Sequence, residues 1–237
     1  MRAIVDSRGL ALPGRLKVSS IALQAGQLTC LIGPNGSGKT SLLHALAGIG
    51  NPLGEVRIDG IDPKVLAPKQ RMRLLSYLPA SREIRWPLTA RDLVALGCAG
   101  SEDKARIPRL LDELDLASFA GRRIDQMSTG ERSRVLIARA LVSSPTLLLL
   151  DEPAANLDPL WQLRLMDHLQ RLARDQGKAL LVAVHDLELA RHHADRLIIM
   201  EGGAIAADGN PAELLAGPDI LRVFGIERRE DRWIPVA

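Results

Sequence analysis

The chain has 237 residues, of which 46% are hydrophobic and only 3% aromatic, so it is long enough for one large domain with an aliphatic core. Its formal net charge of +3 is too small to indicate a nucleic-acid-binding protein. No apolar run reaches the roughly 18 residues that a membrane-spanning helix needs, and the first residues lack the apolar region of a signal peptide. We therefore expect a soluble chain kept in the cytosol, with Cys30 and Cys98 as free thiols.

Residues 33–40 read Gly-Pro-Asn-Gly-Ser-Gly-Lys-Thr and match the phosphate-binding pattern Gly-x-x-x-x-Gly-Lys-[Ser/Thr] at every fixed position. Apolar residues predict a buried strand before this loop, over 28–32, and a helix after it, over 42–47. The glycines let the backbone turn tightly and direct its N–H groups inward, beside the positive end of the helix. The residues predicted to bind nucleotide are Gly33, Pro34, Asn35, Gly36, Ser37, Gly38, Lys39, Thr40 and Ser41, with Lys39 on the outer phosphates and Thr40 on Mg²⁺.

The other elements follow in chain order. Residues 2–78 read as short strands around the phosphate loop, two of them at 17–23 and 55–58, whereas residues 81–143 look helical. A capping box is predicted at Thr89–Asp92, and apolar residues from Ile107 to Leu114 repeat at helical spacing. Residues 146–209 return to strand–helix alternation with continuous apolar strands, which favours a parallel sheet buried on both faces. The pattern therefore predicts an α/β core interrupted by a helical insert.

The buried strand predicted at Leu147–Leu150 leads directly into two adjacent carboxylates, Asp151 and Glu152. Such a strand end is commonly no more than a strand meeting solvent. Beside a phosphate-binding loop it has a second interpretation, in which Asp151 holds Mg²⁺ through its coordination shell. Glu152 would then polarise the water that attacks the γ-phosphate.

Five motifs occur in one order, and together they resemble the nucleotide-binding subunits of ATP-binding-cassette (ABC) transporters over about residues 10–225. They are the phosphate loop, Ser128-Thr129-Gly130-Glu131, Leu147 to Pro153, Asn156-Leu157-Asp158 and Val184-His185-Asp186. The single cassette and the ending with Glu213-Leu214-Leu215 and Phe224-Gly225-Ile226 are most similar to importers of ferric siderophores, haem or vitamin B12.

The resemblance implies one ABC ATPase domain over 1–237 with an α/β fold. Its core would be a P-loop NTPase (RecA-like) unit with a mostly parallel sheet, an N-terminal antiparallel β region and an inserted α-helical subdomain. Residues 1–80 and 144–215 would form the nucleotide-binding core, residues 81–143 the helical subdomain and residues 216–237 a C-terminal extension.

The resemblance also implies a mechanism in which two chains face each other head to tail and enclose ATP. Each ATP would lie between one chain's phosphate loop and the signature segment of the other, defined by Ser128, Thr129, Gly130 and Glu131. Without a partner, Ser128 would only cap the following helix. Glu152 and His185 would be catalytic, Thr40 and Asp151 would hold Mg²⁺, and Asp158 would couple the two sites across the dimer. The remaining histidines match no motif and are expected on helix surfaces, namely His44, His168, His192 and His193.

Three positions depart from the family pattern. Ala80 stands where the family places a Gln that reaches Mg²⁺ and the attacking water, and we expect Ser81 or a water to replace it. No aromatic residue precedes Tyr77, so the adenine would lack its usual stacking partner; Arg8 or Arg15 could stack instead, or both could be solvated surface charges. Thr129 replaces the commoner Gly and adds a methyl group beside the nucleotide.

The function implied is an ATPase that powers a membrane importer of iron-siderophore, haem or cobalamin type. It would be a peripheral protein at the cytoplasmic face of the inner membrane. Its partners would be ATP, a second copy of the chain, permease subunits and, indirectly, a periplasmic or extracellular binding protein, but not nucleic acid. Residues 81–97 would receive the permease, with Trp86 and Pro87 either contacting it or packing the insert on the core. The alternatives are an exporter cassette, or a soluble or degenerate ABC ATPase with a regulatory role.

Overall fold

The computed structural model describes residues 2–82, 84, 86–230 and 232–236. The strands in this part of the chain are β1 (Ala3–Leu12), β2 (Leu16–Gln24), β3 (Gln27–Ile32), β4 (Leu53–Ile58), β5 (Leu75–Leu78), β6 (Leu147–Asp151), β7 (Ala179–Ala183), β8 (Arg196–Glu201), β9 (Ala204–Gly209), β10 (Ile226–Arg229) and β11 (Arg232–Pro235). The α-helices are α1 (Lys39–Ala47), α2 (Pro68–Leu74), α3 (Ala90–Ala95), α4 (Ser101–Glu113), α5 (Thr129–Leu141), α6 (Pro159–Gln176), α7 (Leu187–His193), α8 (Pro211–Ala216) and α9 (Pro218–Phe224).

A six-stranded sheet in the order β5-β6-β7-β3-β8-β9 forms the centre of the molecule. Its strands run parallel except β9, which is antiparallel to β8. Every residue of β6 and β7 is buried, as expected for strands covered on both faces. The expected α/β fold with a mostly parallel sheet is therefore confirmed.

Alternate residues of these strands supply two separate apolar cores. Leu148, Leu150 and Val182 pack with helices α3–α9 on one face. Leu147, Leu149 and Leu181 pack on the other face with α1 and with strands β1, β2 and β4. The sheet is thus held from both sides, which gives its strand ends fixed relative positions.

The N-terminal strands form a separate three-stranded antiparallel sheet in the order β2-β1-β4. The strand predicted at residues 17–23 lies inside β2, and the strand predicted at 55–58 lies inside β4. This sheet is tied to the main one by a hydrogen bond from the Lys17 amide to the Gly203 carbonyl, 2.8 Å long. The first residues of β2 are therefore held beside the turn between β8 and β9.

The region expected to be helical contains α3, α4 and α5. Thr89 is the N-cap of α3 and its hydroxyl oxygen accepts from the Asp92 amide at 3.2 Å. The Asp92 carboxylate accepts from the Thr89 hydroxyl, so the reciprocal bond to the Thr89 amide that a full capping box requires is not the one formed. The apolar residues from Ile107 to Leu111 are buried against the core, as their spacing predicted.

The C-terminal segment contains one feature that the sequence pattern missed. After α8 and α9, strands β10 and β11 pair as an antiparallel hairpin, and the Trp233 indole donates to Glu188 at 3.0 Å. Both cysteines are free, as expected, and Cys30 is fully buried. None of the helices in the described ranges has the length and apolar character needed to cross a membrane.

Candidate functional site

Four neighbouring strands of the large sheet end at the same edge. Strand β3 leads into the phosphate loop, β6 into Asp151 and Glu152, β7 into His185, and β5 into Pro79 and the residues after it. Asp151 is in register with Ala183 of β7, which also pairs with Leu31 of β3. Residues far apart in the chain therefore converge at the carboxyl end of the sheet, where open α/β folds bind ligands.

The phosphate loop is shaped by close backbone contacts. Gly38 is the N-cap of α1 with φ 102° and provides no side-chain cap, so the first N–H groups of the helix stay available. A Cβ on Gly33 would lie 2.5 Å from both the Met200 carbonyl oxygen and the Ser37 hydroxyl. A glycine is therefore required at this point for the loop to pass the end of β8.

The Lys39 side chain is held inside the loop. Its ammonium donates to the carbonyls of Gly33 at 2.8 Å and Pro34 at 3.2 Å, and the residue is 6% exposed. Burial lowers the pKa of Lys39, whereas the carboxylates of Glu152 and Asp151 act in the opposite direction. A cation held in this way is preorganised to meet phosphate oxygens.

Asp151 is fully buried, and both of its carboxylate oxygens lack a hydrogen-bond partner within the described residues. Burial raises the pKa of Asp151, and the nearby Glu152 acts in the same direction. A buried carboxylate without a partner is costly unless a ligand completes it. This observation fits a hard cation such as Mg²⁺, which prefers oxygen ligands and takes few of them from protein.

Glu152 and His185 are brought together across the end of the sheet. The Nε2 atom of His185 lies 2.5 Å from the Glu152 Oε1 atom, although the residues are 33 positions apart. Glu152 has φ 51°, an unfavourable backbone conformation for a residue with a side chain, and its amide donates to the Ala183 carbonyl at 3.1 Å. The strained turn directs this carboxylate toward the phosphate loop.

A cleft of about 580 Å³ opens beside the loop. Residues 35–41 and Glu152 line one part of it, and Arg15, Lys17 and Gly203 line another. Arg15 is therefore placed where a base could lie, whereas Arg8 forms an exposed ion pair with Asp6 at 3.2 Å and does not line the cleft. Of the two arginines considered for stacking, the structure favours Arg15.

The signature segment is built as a helix start. Ser128 is the N-cap of α5, its hydroxyl oxygen accepts from the Glu131 amide at 3.2 Å, and Glu131 accepts from the Ser128 amide at 2.7 Å. The donation from that amide lowers the pKa of Glu131. None of the residues Ser128 to Glu131 lines the cleft formed by the described residues of the same chain.

Thr129 and Gly130 occupy the first turn of α5. The loop between β6 and α6 approaches this turn closely. A Cβ on Gly130 would lie 3.3 Å from the Asn156 carbonyl oxygen. Asp158 is exposed and caps α6, where its carboxylate accepts from the Trp161 amide at 3.0 Å. Asp158 thus has a local structural role in addition to the coupling role that the family resemblance suggests.

The structure buries Arg82, two residues after Ala80, at the site. Ser81 is exposed, whereas Arg82 is only 8% exposed and turns into the site. Its guanidinium donates to the carbonyls of Pro79, Asp151 and Glu152, the last two at 3.2 and 3.0 Å. No sequence pattern marks this arginine, because a single charged residue in a loop is usually solvated.

The expectation that the four unmatched histidines lie on helix surfaces is wrong for His193, which is 7% exposed and 3.3 Å from Asp167. His44 is half-buried and meets the Tyr77 ring edge-on, with centroids 5.3 Å apart. Burial and the nearby Asp151 raise the pKa of Tyr77. His44 and Tyr77 therefore form part of the packing behind Asp151.

Comparisons with known proteins show the family of the chain. The ABC transporter family model matches residues 16–155. The chain is 36% identical over 241 residues to the hemin import ATP-binding protein HmuV of Rhizobium johnstonii, covering 95% of this chain and 91% of that protein. It is 34% identical over 209 residues to the cobalamin import ATP-binding protein BtuD of Halobacterium salinarum, covering 85% of this chain and 52% of that protein.

Two solved structures carry the comparison further. An ATP-binding subunit of an ABC transporter superposes with a TM-score of 0.78 at 26% identity, covering 94% of this chain and 93% of that one. A dimeric post-hydrolysis state of an ATP-binding cassette bound to ADP and Pi has a TM-score of 0.77 at 27% identity, covering 87% and 98%. The chain belongs to the ABC transporter family and is an ATP-binding, ATP-hydrolysing subunit whose relatives match the importer branch.

Proposed function

We propose that this ATPase works as a head-to-tail homodimer beneath a membrane permease and powers import of a substrate of the iron-siderophore, haem or cobalamin type. The observation that carries the dimer is that one chain has only half of a nucleotide site. The phosphate loop, Asp151 and Glu152 meet at one edge of the sheet, whereas Ser128 to Glu131 lie outside that cleft. A second copy would bring its signature segment to the open side.

In this proposal the phosphate loop and Lys39 bind the triphosphate. The Ser128 hydroxyl of the second copy contacts its terminal phosphate. A hydroxyl has one proton to donate and two lone pairs, so Ser128 can keep accepting from Glu131 while it donates to phosphate. The free N–H groups at the start of α5 would add to the same contact. The dimer could therefore form around ATP without breaking the Ser128 cap of α5.

Thr40 and Asp151 would hold Mg²⁺, directly or through its water shell. Held by these two residues, such an ion would supply positive charge beside the phosphates. The fit rests on the unpartnered buried carboxylate of Asp151. We assign no further ligands among the side chains, since this ion usually keeps several waters.

Glu152 would accept a proton from the attacking water, and His185 would hold the Glu152 carboxylate in place. The 2.5 Å contact between these side chains supports this pairing. His185 is also about half exposed, so its ring can turn toward the terminal phosphate or a second chain. Removing the carboxylate charge should then stop hydrolysis while leaving nucleotide binding intact.

The importer assignment is supported by the relatives named for hemin and cobalamin import. The chain itself offers an open surface for a permease at residues 81–97, of which positions 83 and 85 lie outside the described residues. Trp86 is 67% exposed and Leu96 is 53% exposed. An exposed Trp favours its interpretation as a contact residue over a role in packing the insert on the core.

The dimer is tested by light scattering of Glu152→Gln with and without Mg-ATP. We expect a shift from monomer to dimer mass that the Glu152→Gln, Ser128→Arg double variant does not show, because a bulky cation would block the closing helix start. A monomer at all ATP concentrations, with ATP still bound, would contradict the proposed sandwich for the isolated chain.

The importer role is tested by reconstitution. The tagged chain should retain a multi-helix membrane protein from detergent-solubilised membranes. In proteoliposomes, the resulting complex should hydrolyse ATP faster when ferric siderophore, haem or cobalamin is supplied on the side opposite the cassette. Stimulation only by substrate on the cassette side would indicate an exporter. Activity that no membrane partner changes would indicate a soluble ATPase.

A further inference from the structure

Arg82 is a buried residue of this site that belongs to none of the sequence motifs. It follows β5 by four residues and is 8% exposed. Its guanidinium donates to three backbone carbonyls, those of Pro79, Asp151 and Glu152. A single side chain thus joins the loop after β5 to the turn that carries both functional carboxylates.

Burying a guanidinium is costly unless its charge and donors find partners. The two terminal nitrogens of Arg82 donate to carbonyls, whereas its Nε has no partner among the described residues. Burial lowers the pKa of Arg82, and the carboxylates of Asp151 and Glu152 act in the opposite direction. Arginine stays charged under either influence. Arg82 therefore adds a fixed positive charge beside two carboxylates, one of which has no hydrogen-bond partner among the described residues.

The same side chain also supports an unfavourable backbone turn. Glu152 has φ 51°, and such a conformation persists only when its surroundings determine it strongly. The Glu152 amide donates to the Ala183 carbonyl, and the Glu152 carbonyl accepts from the Ala155 amide at 3.2 Å and from Arg82 at 3.0 Å. Of these contacts, the Arg82 bond is the one made by a side chain from outside the turn, and its loss would leave the direction of the Glu152 side chain less well fixed.

The family resemblance places a Gln at the position of Ala80, and Ala80 has no polar group to offer. We propose that Arg82 is a positioning residue for ATP hydrolysis, which braces the turn of Asp151 and Glu152 and partly balances their charge. It follows that Arg82 sets the turnover rate through its geometry and the affinity for the divalent cation through its charge. This inference rests on the hydrolytic activity and on the proposed roles of Asp151 and Glu152, not on the importer assignment.

Two readouts separate the geometric effect from the charge effect. The first is the kcat and KM of ATP hydrolysis. The second is the metal-coupling ratio, defined as the affinity for a fluorescent ADP analogue in Mg²⁺ divided by its affinity in EDTA. The ratio does not require turnover, and it can be measured on the full chain without a permease.

We expect Arg82→Ala to lower kcat roughly 10- to 100-fold, in the range seen when a group supporting a metal site is removed. The metal-coupling ratio should rise about three- to tenfold, because two carboxylates that lose one neighbouring cation, with only Lys39 still acting on both, attract Mg²⁺ more strongly. Arg82→Lys should keep the ratio of the wild-type chain, since it keeps the charge. It should still lower kcat, since an ammonium cannot reproduce the fork of donors.

Arg106→Ala is the matched control, because Arg106 also donates to a backbone carbonyl, that of Val142 at 2.8 Å, but lies in the helical region. It should change neither readout. A kcat within twofold of wild type for Arg82→Ala would overturn the proposal. So would a fall in kcat with an unchanged metal-coupling ratio and a lowered Tm, which would show a structural role alone. If the wild-type chain did not bind the ADP analogue at all, that result would instead contradict the proposed nucleotide site.

Discussion

The two halves of the proposed nucleotide site differ in how completely the chain satisfies them. On the phosphate-loop side, the buried oxygens of Asp151 and the hydroxyl of Ser37 lack hydrogen-bond partners within the described residues. On the signature side, Ser128 and Glu131 satisfy each other's amides. The buried carboxylate of the first half therefore needs a ligand as its partner, whereas the helix cap of the second half is already formed before it meets one.

This difference has a physical reason. The phosphate-loop side is concave and is assembled from the ends of four strands, so its polar groups cannot all find partners within the chain. The signature side is the start of one helix, and a helix start is readily capped by its own neighbours. Changes on the first side should act mainly on nucleotide binding and hydrolysis, and changes on the second mainly on folding stability and chain association.

The largest effect is expected from Lys39→Ala, which removes the buried cation of the concave half. ATP affinity should fall roughly 100-fold, because truncating one partner of a buried, hydrogen-bonded charge pair costs about 2–5 kcal/mol. Isothermal titration with ATP measures this loss. Lys17→Ala is the matched control, since Lys17 lines the same cleft but is exposed, and it should change affinity little. Equal losses in the two variants would indicate general electrostatic attraction.

A smaller effect is expected from His185→Ala, which removes the partner of Glu152. Loss of a charge-assisted hydrogen bond of about 1.5–3 kcal/mol should lower kcat roughly 10- to 100-fold while ATP affinity stays near that of wild type. Steady-state hydrolysis and ATP titration give the two quantities. His192→Ala is the control, because that exposed histidine bonds only within α7. An unchanged kcat in His185→Ala would show that His185 has no role in hydrolysis.

The signature half is tested by Ser128→Ala, with Thr89→Ala as its match. Both side chains cap a helix by accepting an amide hydrogen bond of 3.2 Å. Each substitution should lower the free energy of unfolding by about 1 kcal/mol, measured in urea. Only Ser128→Ala should also weaken ATP-dependent association of the Glu152→Gln chain. Equal ATP-dependent association in both variants would show that Ser128 acts only as a helix cap.

The smallest effect is expected from Arg15→Ala, which removes a side chain that lines the cleft. If its guanidinium plane lies against the base, Arg15→Ala should lower ATP affinity roughly two- to fivefold, matching a cation–π contribution of about 0.5–1 kcal/mol at an exposed site. Arg8→Ala should have no effect, because Arg8 pairs with Asp6 away from the cleft. Titration with ATP and with inorganic triphosphate separates a base contact from a phosphate contact, and an equal loss for both ligands would contradict stacking.

Much of this site was predictable because its parts are local. The phosphate loop and the cap at Ser128 each lie within a few consecutive residues, so spacing alone indicates their geometry. The strands and the helical region followed from apolar periodicity in the same way. The C-terminal hairpin did not, because its four-residue strands carry no clear alternation, and its place depends on Trp233 reaching Glu188.

The sequence by itself determined which chemistry the chain has, since Lys39, Asp151, Glu152 and the loop glycines stand in patterns that serve phosphate binding. Only the tertiary structure decided which groups act together. It brought His185 to Glu152, left the Asp151 carboxylate without a hydrogen-bond partner among the described residues, buried Arg82 against the turn of Asp151 and Glu152, and placed Arg15 rather than Arg8 beside the cleft. These contacts depend on the order and register of strands distant in the chain, and that order is set by the packing of the whole sheet.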